Sequence, residues 1–167
     1  MRTCRRSSLI EAKIKNLTEL KNIAYRLKKA GKKIVFTNGC FDLLHYGHIK
    51  YLEAAKRKGD ILIVAINSDA SVRKVKGDKR PIVKEWERLR IVAALESVDY
   101  VVLFKEDTPF KAISLLKPDI LVKGADWNKN NIVGAGVVLN YGGKVIAVPL
   151  ARGRSTTNLI KKIAQIF

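Results

Sequence analysis

The sequence predicts a single doubly wound α/β domain, with a parallel sheet of about five strands and helices on both faces. Three observations predict it. Short runs at 32–37, 61–66, 100–104, 119–122 and 144–148 are rich in apolar residues without polar alternation, as strands buried on both faces are. Segments with helical spacing or capping residues separate these runs, which is the alternation a parallel βαβ winding needs. The distinctive polar segments each follow a strand directly, where ligands bind in sheets of this Rossmann-like kind.

Residues 1–16 are basic and irregular and read as a loose lead-in. Over 17–29, Leu17, Leu20, Ile23, Ala24 and Leu27 recur at helical intervals, and Gly31 offers a stop. The strand at 32–37 ends in the turn-forming Asn38-Gly39-Cys40-Phe41-Asp42. A helix follows over 48–58, with Ile49, Leu52 and Ala55 on one side and Gly59 closing it. The pattern then repeats. After the strand at 61–66, Asn67-Ser68-Asp69 supplies caps for a short helix reaching about Val75. A loop rich in lysine and arginine spans 76–83, and an amphipathic helix spans 84–96. Beyond the strand at 100–104, Pro109 suits the first turn of a helix through Leu116, where its missing N–H is not needed. The strand at 119–122 runs into Lys123-Gly124-Ala125-Asp126-Trp127. A helix over 132–141 is stopped by Gly142-Gly143, and a closing helix covers 156–167. Residues 1–31 thus form a lead-in and helix, and 32–167 the main domain.

With 167 residues, 47% of them hydrophobic, the chain can bury a real core. No apolar run approaches the roughly 20 residues of a membrane helix, and no apolar segment follows the basic start as in a secretory signal. Membrane partners are therefore not expected. Cys4 and Cys40 form neither a disulfide framework nor a CxxC metal pattern, which points to a reducing, cytoplasmic setting. Cys40 reads as a small buried filler. The formal charge of +18 raises the possibility of nucleic acid. However, the cations are spread along the whole chain and no RNP, KH, zinc-finger or helix-turn-helix signature accompanies them. The same charge draws in nucleoside triphosphates and sugar phosphates, so small phosphorylated substrates are expected rather than nucleic acid.

The sharpest feature is the run Asn38-Gly39-Cys40-Phe41-Asp42-Leu43-Leu44-His45-Tyr46-Gly47-His48, which holds both histidines of the chain. Three residues apart at a helix start, the imidazoles face one side. Gly39 and Gly47 allow close approach to the backbone. A helix N-terminus offers free N–H donors and partial positive charge, both suited to phosphate. Either histidine could instead be a satisfied structural residue; a metal site lacks a third His or a Cys. The second feature is Gly153-Arg154-Ser155-Thr156-Thr157, before the last helix. Ser155 is a good N-cap, but three consecutive hydroxyls beside Arg152 and Arg154 exceed what a cap needs and suit a triphosphate tail.

On these motifs the segment 36–162 resembles the cytidylyltransferase-like family of nucleotidyltransferases, which carry an HxGH motif and a terminal STT element. Within the family it is most similar to the adenylyltransferase domain of bifunctional ADP-heptose synthases. The stretches that carry this are 37–42, Asn67-Ser68-Asp69-Ala70-Ser71, Lys76-Gly77-Asp78-Lys79-Arg80-Pro81, Ala94-Leu95-Glu96, Glu106-Asp107-Thr108-Pro109, Leu121-Val122-Lys123-Gly124 and Ser155-Thr156-Thr157-Asn158. The resemblance implies transfer of AMP from ATP to D-glycero-β-D-manno-heptose 1-phosphate, with release of pyrophosphate. His45, His48 and Lys76 would be catalytic. Thr37, Asn38, Gly39, Cys40, Phe41, Gly47, Lys123, Gly124, Asp126, Ser155, Thr156 and Thr157 would join them around the nucleotide. Asn67, Asp69, Arg80 and Arg88 would serve the acceptor, although Arg88 also fits a solvated helix position. Mg²⁺ would be held mainly by nucleotide phosphates, with Asp42 a candidate ligand whose rival role is a turn-closing hydrogen bond. The resemblance implies a separate sugar kinase as a partner activity, while apolar positions of 132–141, if exposed, would be covered in a homodimer. Glycerol-3-phosphate cytidylyltransferases precede their STT element with Arg-Thr-Glu-Gly-Ile; here Leu150 takes the place of the first arginine, which counts against that activity. FMN adenylyltransferase is a further alternative in the family. A basic nucleic-acid-binding module is the alternative outside it.

Overall fold

The computed structural model describes residues 5–125, 132–151 and 153–166. Its sheet has five parallel strands, β1 (Ile34–Gly39), β2 (Ile61–Asn67), β3 (Tyr100–Phe104), β4 (Ile120–Gly124) and β5 (Lys144–Val148), in the order β3-β2-β1-β4-β5. The winding runs outward from β1 in both directions, so the strand order reverses between β1 and β4. Their register pairs Val35 with Ile120 and Phe36 with Leu121, while β1 pairs with β2 along its whole length from Ile34–Ile61 to Gly39–Ile66.

Eight helices complete the described fold: α1 (Arg5–Lys13), α2 (Leu17–Lys29), α3 (Tyr46–Lys56), α4 (Asp69–Lys76), α5 (Glu85–Ala93), α6 (Phe110–Leu116), α7 (Ala135–Asn140) and α8 (Thr156–Ile166). Strand side chains alternate between two cores. Ile34, Phe36, Ile63 and Leu121 pack against α2, α6 and α7 on one face. Val35, Leu62, Val64 and Val122 pack against α3 and α5 on the other. Both faces are therefore covered, and this is why the strands lack polar alternation.

Local signals explain the element boundaries. Asn16 caps α2 through a reciprocal box with Glu19, both bonds at 2.9 Å. Ser68 caps α4 by accepting from the Ser71 N–H. One expectation is corrected. The lead-in is not irregular: it contains α1, and Ile10 and Ile14 pack against the second core. Four residues apart, they supply the one apolar stripe that a basic sequence obscured. Within 132–141, Ile132, Ala135 and Val138 turn inward, while Leu139 and Tyr141 stay 58% and 36% exposed. Among the described residues no helix is long and apolar enough to cross a membrane.

Candidate active site

A cavity of about 520 Å³ opens over the carboxyl ends of the strands, lined by the ends of β1, β2 and β4 and by the segments that follow β3 and β5. The segment after β1 supplies Asn38 to Asp42, His45, Gly47 and His48. Asn67 comes from the end of β2, 107–109 from the loop after β3, Lys123 and Gly124 from the end of β4, and Ser155 to Thr157 from the turn after β5. Residues more than a hundred positions apart thus meet around one space, at the reversal of strand order where the fold leaves a crevice.

His45 is the N-cap of α3, and its Nδ1 accepts a hydrogen bond from the Gly47 N–H at 3.1 Å. That bond leaves the ring proton on Nε2. His48 lies in the first turn, stacked on His45 with ring centroids 4.0 Å apart and with Phe41 tilted against its other side at 5.4 Å. Burial and then the charge of Arg154 lower the His45 pKa. Burial and then His45 push His48 down to about 4. Both shifts favour the neutral imidazole over the imidazolium, and the buried His48 Nδ1 has no hydrogen-bond partner. Gly47 is required by space: a Cβ there would lie 2.9 Å from the His45 ring and 3.2 Å from the Arg154 Cβ. The HxGH turn and the STT turn are in direct contact at this point. A second tie is the Thr156 hydroxyl, which donates to the Leu43 carbonyl at 3.2 Å.

The segment between strand and helix is held by buried charge. Phe41 adopts φ 45°, a left-handed conformation uncommon for an aromatic residue, and is buried. Next to it, the Asp42 carboxylate is 3% exposed and accepts from Ile82 N–H and Val83 N–H, both at 2.9 Å, and from Arg80 Nε at 2.6 Å. Burial opposes ionisation, but these donors outweigh it and hold the carboxyl below its usual range. Asp42 is thus the clamp of the 77–84 loop. Its oxygens are committed, and the metal-ligand alternative does not fit.

Arg88 is neither solvated nor at the cavity. It is fully buried, donating to the carbonyls of Val83 (3.0 Å), Cys40 (2.5 Å) and Asn67 (2.8 Å) and to the Asp69 carboxylate (2.8 Å). This corrects its expected role and that of Asp69, whose side chain is turned to Arg88 rather than to a substrate. The Thr37 hydroxyl is buried, 2.7 Å from the Tyr51 Oη, which leaves only its backbone groups for the expected role. Cys40 is half-buried and lines the cavity, with its thiol pKa raised by burial against the lowering influence of nearby Lys76, Arg88 and Arg80. Lys123 hydrogen-bonds the Asn38 side-chain oxygen, joining β4 to β1 at the crevice. Ser155 caps α8, accepting from the Asn158 N–H at 3.1 Å, and also lines the cavity. Lys76 and Arg80 face the same space, and Asp126 lies outside the described residues.

Sequence reasoning gave no role to Tyr51 or to the 107–109 loop, both of which line the cavity. The loop was within reach, since it too follows a strand. Tyr51 was not, because its hydroxyl is aimed by packing, donating to the Val122 carbonyl at 3.2 Å.

Comparison with known proteins agrees with this geometry. The family model described as Cytidylyltransferase-like matches residues 36–152. The chain is 57% identical over 157 residues to the Bifunctional protein HldE of Geobacter metallireducens, covering 94% of this chain and 32% of that protein. It is 59% identical over 131 residues to the protein of the same name from Gluconobacter oxydans, covering 78% and 27%. The chain spans about a third of the length of these curated relatives. A lipopolysaccharide core biosynthesis protein from Thermoplasma volcanium superposes with a TM-score of 0.59 at 31% identity, covering 74% of this chain and 100% of that one. The pantoate-beta-alanine ligase of Francisella tularensis, at 18% identity and a TM-score of 0.61 over 91% of this chain and 78% of that one, shares the fold alone. With its HxGH and STT turns in contact across one cavity, the chain belongs to the cytidylyltransferase-like family of nucleotidyltransferases.

Proposed function

We propose that the chain transfers AMP from ATP to D-glycero-β-D-manno-heptose 1-phosphate, giving ADP-heptose and pyrophosphate. The observation that carries this reading is the meeting of two imidazoles, Lys76 and Arg80, and three hydroxyls on a single cavity. An oxygen of the acceptor phosphate attacks the α-phosphorus. A new P–O bond forms as the bond to the bridging oxygen breaks, and pyrophosphate leaves with that electron pair. The attacking group is already an anion, so the step needs no general base. Positioning and charge neutralisation supply most of the rate in such transfers.

In this reading His45 and His48 donate N–H groups to the α-phosphate as charge builds on it. Asn38, Gly39, Cys40 and Phe41 line the nucleotide side together with Lys123 and Gly124, and Asp126 is proposed to touch the base or ribose. The hydroxyls of Ser155, Thr156 and Thr157 receive the β- and γ-phosphates at the N-terminus of α8, where free N–H groups and partial positive charge favour anions. Lys76 neutralises the phosphates. ATP arrives as its Mg²⁺ complex, the ion being part of the substrate. Such an ion would be held mainly by phosphate oxygens and water. The acceptor is itself the product of a sugar kinase, the partner activity this reading requires.

Pyrophosphate release, measured with the four nucleoside triphosphates against heptose 1-phosphate, glycerol 3-phosphate and FMN, tests the proposal. ATP with the heptose acceptor is the expected productive pair. Turnover of CTP with glycerol 3-phosphate would reassign the substrates within the family. No release with any pair, alongside tight and salt-sensitive binding of generic nucleic acid, would favour the nucleic-acid module instead.

A further inference from the structure

We infer that Asp42 is a positioning residue that aims the guanidinium of Arg80 at the phosphate of the acceptor. The inference rests on the nucleotidyltransferase reading above and adds a residue pair to it. Arg80 donates through Nε to Asp42 at 2.6 Å, and its side chain is 16% exposed against 1% for Asp42. Among the described residues the Arg80 side chain makes no other hydrogen bond or ion pair, so its two Nη groups remain available while the plane of the fork is fixed. Arg80 lines the cavity together with Lys76. A planar fork with its Nε anchored and its Nη pair free matches two oxygens of one phosphate, with less conformational freedom to lose than a loose lysine has.

Asp42 holds more than Arg80. By accepting the Ile82 and Val83 N–H groups it fixes the loop from which Arg80 projects. The carboxylate, two residues after Cys40 and three before His45, therefore sets the distance between the imidazoles and the acceptor phosphate. Attack on the α-phosphorus demands that distance be held closely. The geometry gives Asp42 a function that a metal ligand or a simple turn-closing bond would not have.

Steady-state kinetics of Arg80→Lys, Asp42→Asn and the double variant, with ATP and the phosphorylated acceptor that drives pyrophosphate release in the wild type, test the inference. Arg80→Lys keeps the charge but loses the fork and its anchor. The KM for the acceptor is expected to rise roughly 10- to 100-fold, the scale of a lost charge-assisted hydrogen bond, with the KM for ATP within about twofold. Asp42→Asn is expected to raise the same KM. In the double variant it should add little to Arg80→Lys, because both act through one contact. Added guanidinium should partly rescue Arg80→Ala but not Arg80→Ala combined with Asp42→Asn. Equal rises in both KM values, or additive effects in the double variant, would overturn the inference and leave Asp42 a purely structural clamp. If Asp42→Asn fails to fold, an unchanged acceptor KM in Arg80→Lys overturns it alone. Should glycerol 3-phosphate prove to be the acceptor, the heptose reading falls while Arg80 is tested on that substrate. Release with no phosphorylated acceptor overturns both.

Discussion

The two halves of the candidate phosphate site are built in opposite ways. The half after β1 is set in the core: Phe41, Asp42 and Gly47 are buried, and Arg88 beneath them is wholly so, with four hydrogen bonds to surrounding backbone and carboxylate groups. The half on α8 is laid on the surface. That helix buries none of its residues, and Ile163 and Ile166 stand 46% and 66% exposed. Its N-terminus is held by the Thr156–Leu43 hydrogen bond and the close approach of Arg154 to Gly47. A site made this way keeps the groups that meet the reacting phosphorus rigid, and leaves the groups for the departing phosphates less constrained. Damage to the first half should therefore register as lost stability or turnover, and damage to the second as lost nucleotide affinity.

The largest effect expected is on the buried side. Arg88→Ala removes a buried charge from Asp69 and leaves the carbonyls of Cys40, Val83 and Asn67 without a donor, so unfolding by urea should show a loss of about 3–5 kcal/mol. A loss below about 1 kcal/mol would mean that the first half is not held from below. Next comes His48→Ala, for which kcat should fall by about 10²–10³ with the melting temperature little changed. Normal turnover in that variant would remove His48 from the chemistry.

The contrast also explains how far the sequence could be read. Strand ends and their polar segments were legible, because uninterrupted apolar runs mark doubly covered strands and ligands gather where such strands end. The pairing of 45–48 with 155–157 followed from that rule and from the family motifs. What stayed hidden was buried charge. Arg88 sits on an amphipathic helix where solvent is the ordinary surrounding of an arginine, and only tertiary placement brings four acceptors to it. Asp69 escapes the sequence for the same reason, its carboxylate being satisfied by a partner distant in the chain. The start of α3 was also off by two residues, since histidine is an unusual cap and its Nδ1 bond to Gly47 leaves no sequence signature.

On the surface side the effects should be smaller and of another kind. Ser155→Ala costs the α8 cap about 1 kcal/mol. Because α8 buries nothing, this local loss should hardly move the global melting temperature while the KM for ATP rises. A clear drop in melting temperature with unchanged KM would make the hydroxyl a cap and nothing more.

The smallest expected effect, on pH dependence, separates two groups within the rigid half. Burial and then His45 hold the folded His48 at about 4, below its ordinary value of 6.5, so the unfolded chain takes up that proton first. The resulting stability is fully present above pH 6.5 and drains away as the pH falls to about 4. His45 contributes in the same direction. Asp42 has its folded value below the ordinary 3.8, so its contribution is present above that pH and is lost only at more acid values. The melting temperature of His48→Gln should consequently fall less steeply than that of the wild type between pH 6.5 and 4, with the limb below pH 3.8 retained. Parallel curves across the whole range would show that His48 is not held neutral by the fold.

A crystal structure of the chain with a non-hydrolysable ATP analogue tests the central claim most directly. The account predicts one triphosphate bridging the two halves, with its α-phosphate within hydrogen-bond distance of His45 or His48 and its terminal phosphates on the Ser155, Thr156 and Thr157 hydroxyls. A tail that touches only one of the two turns, or lies outside the cavity between them, would contradict it.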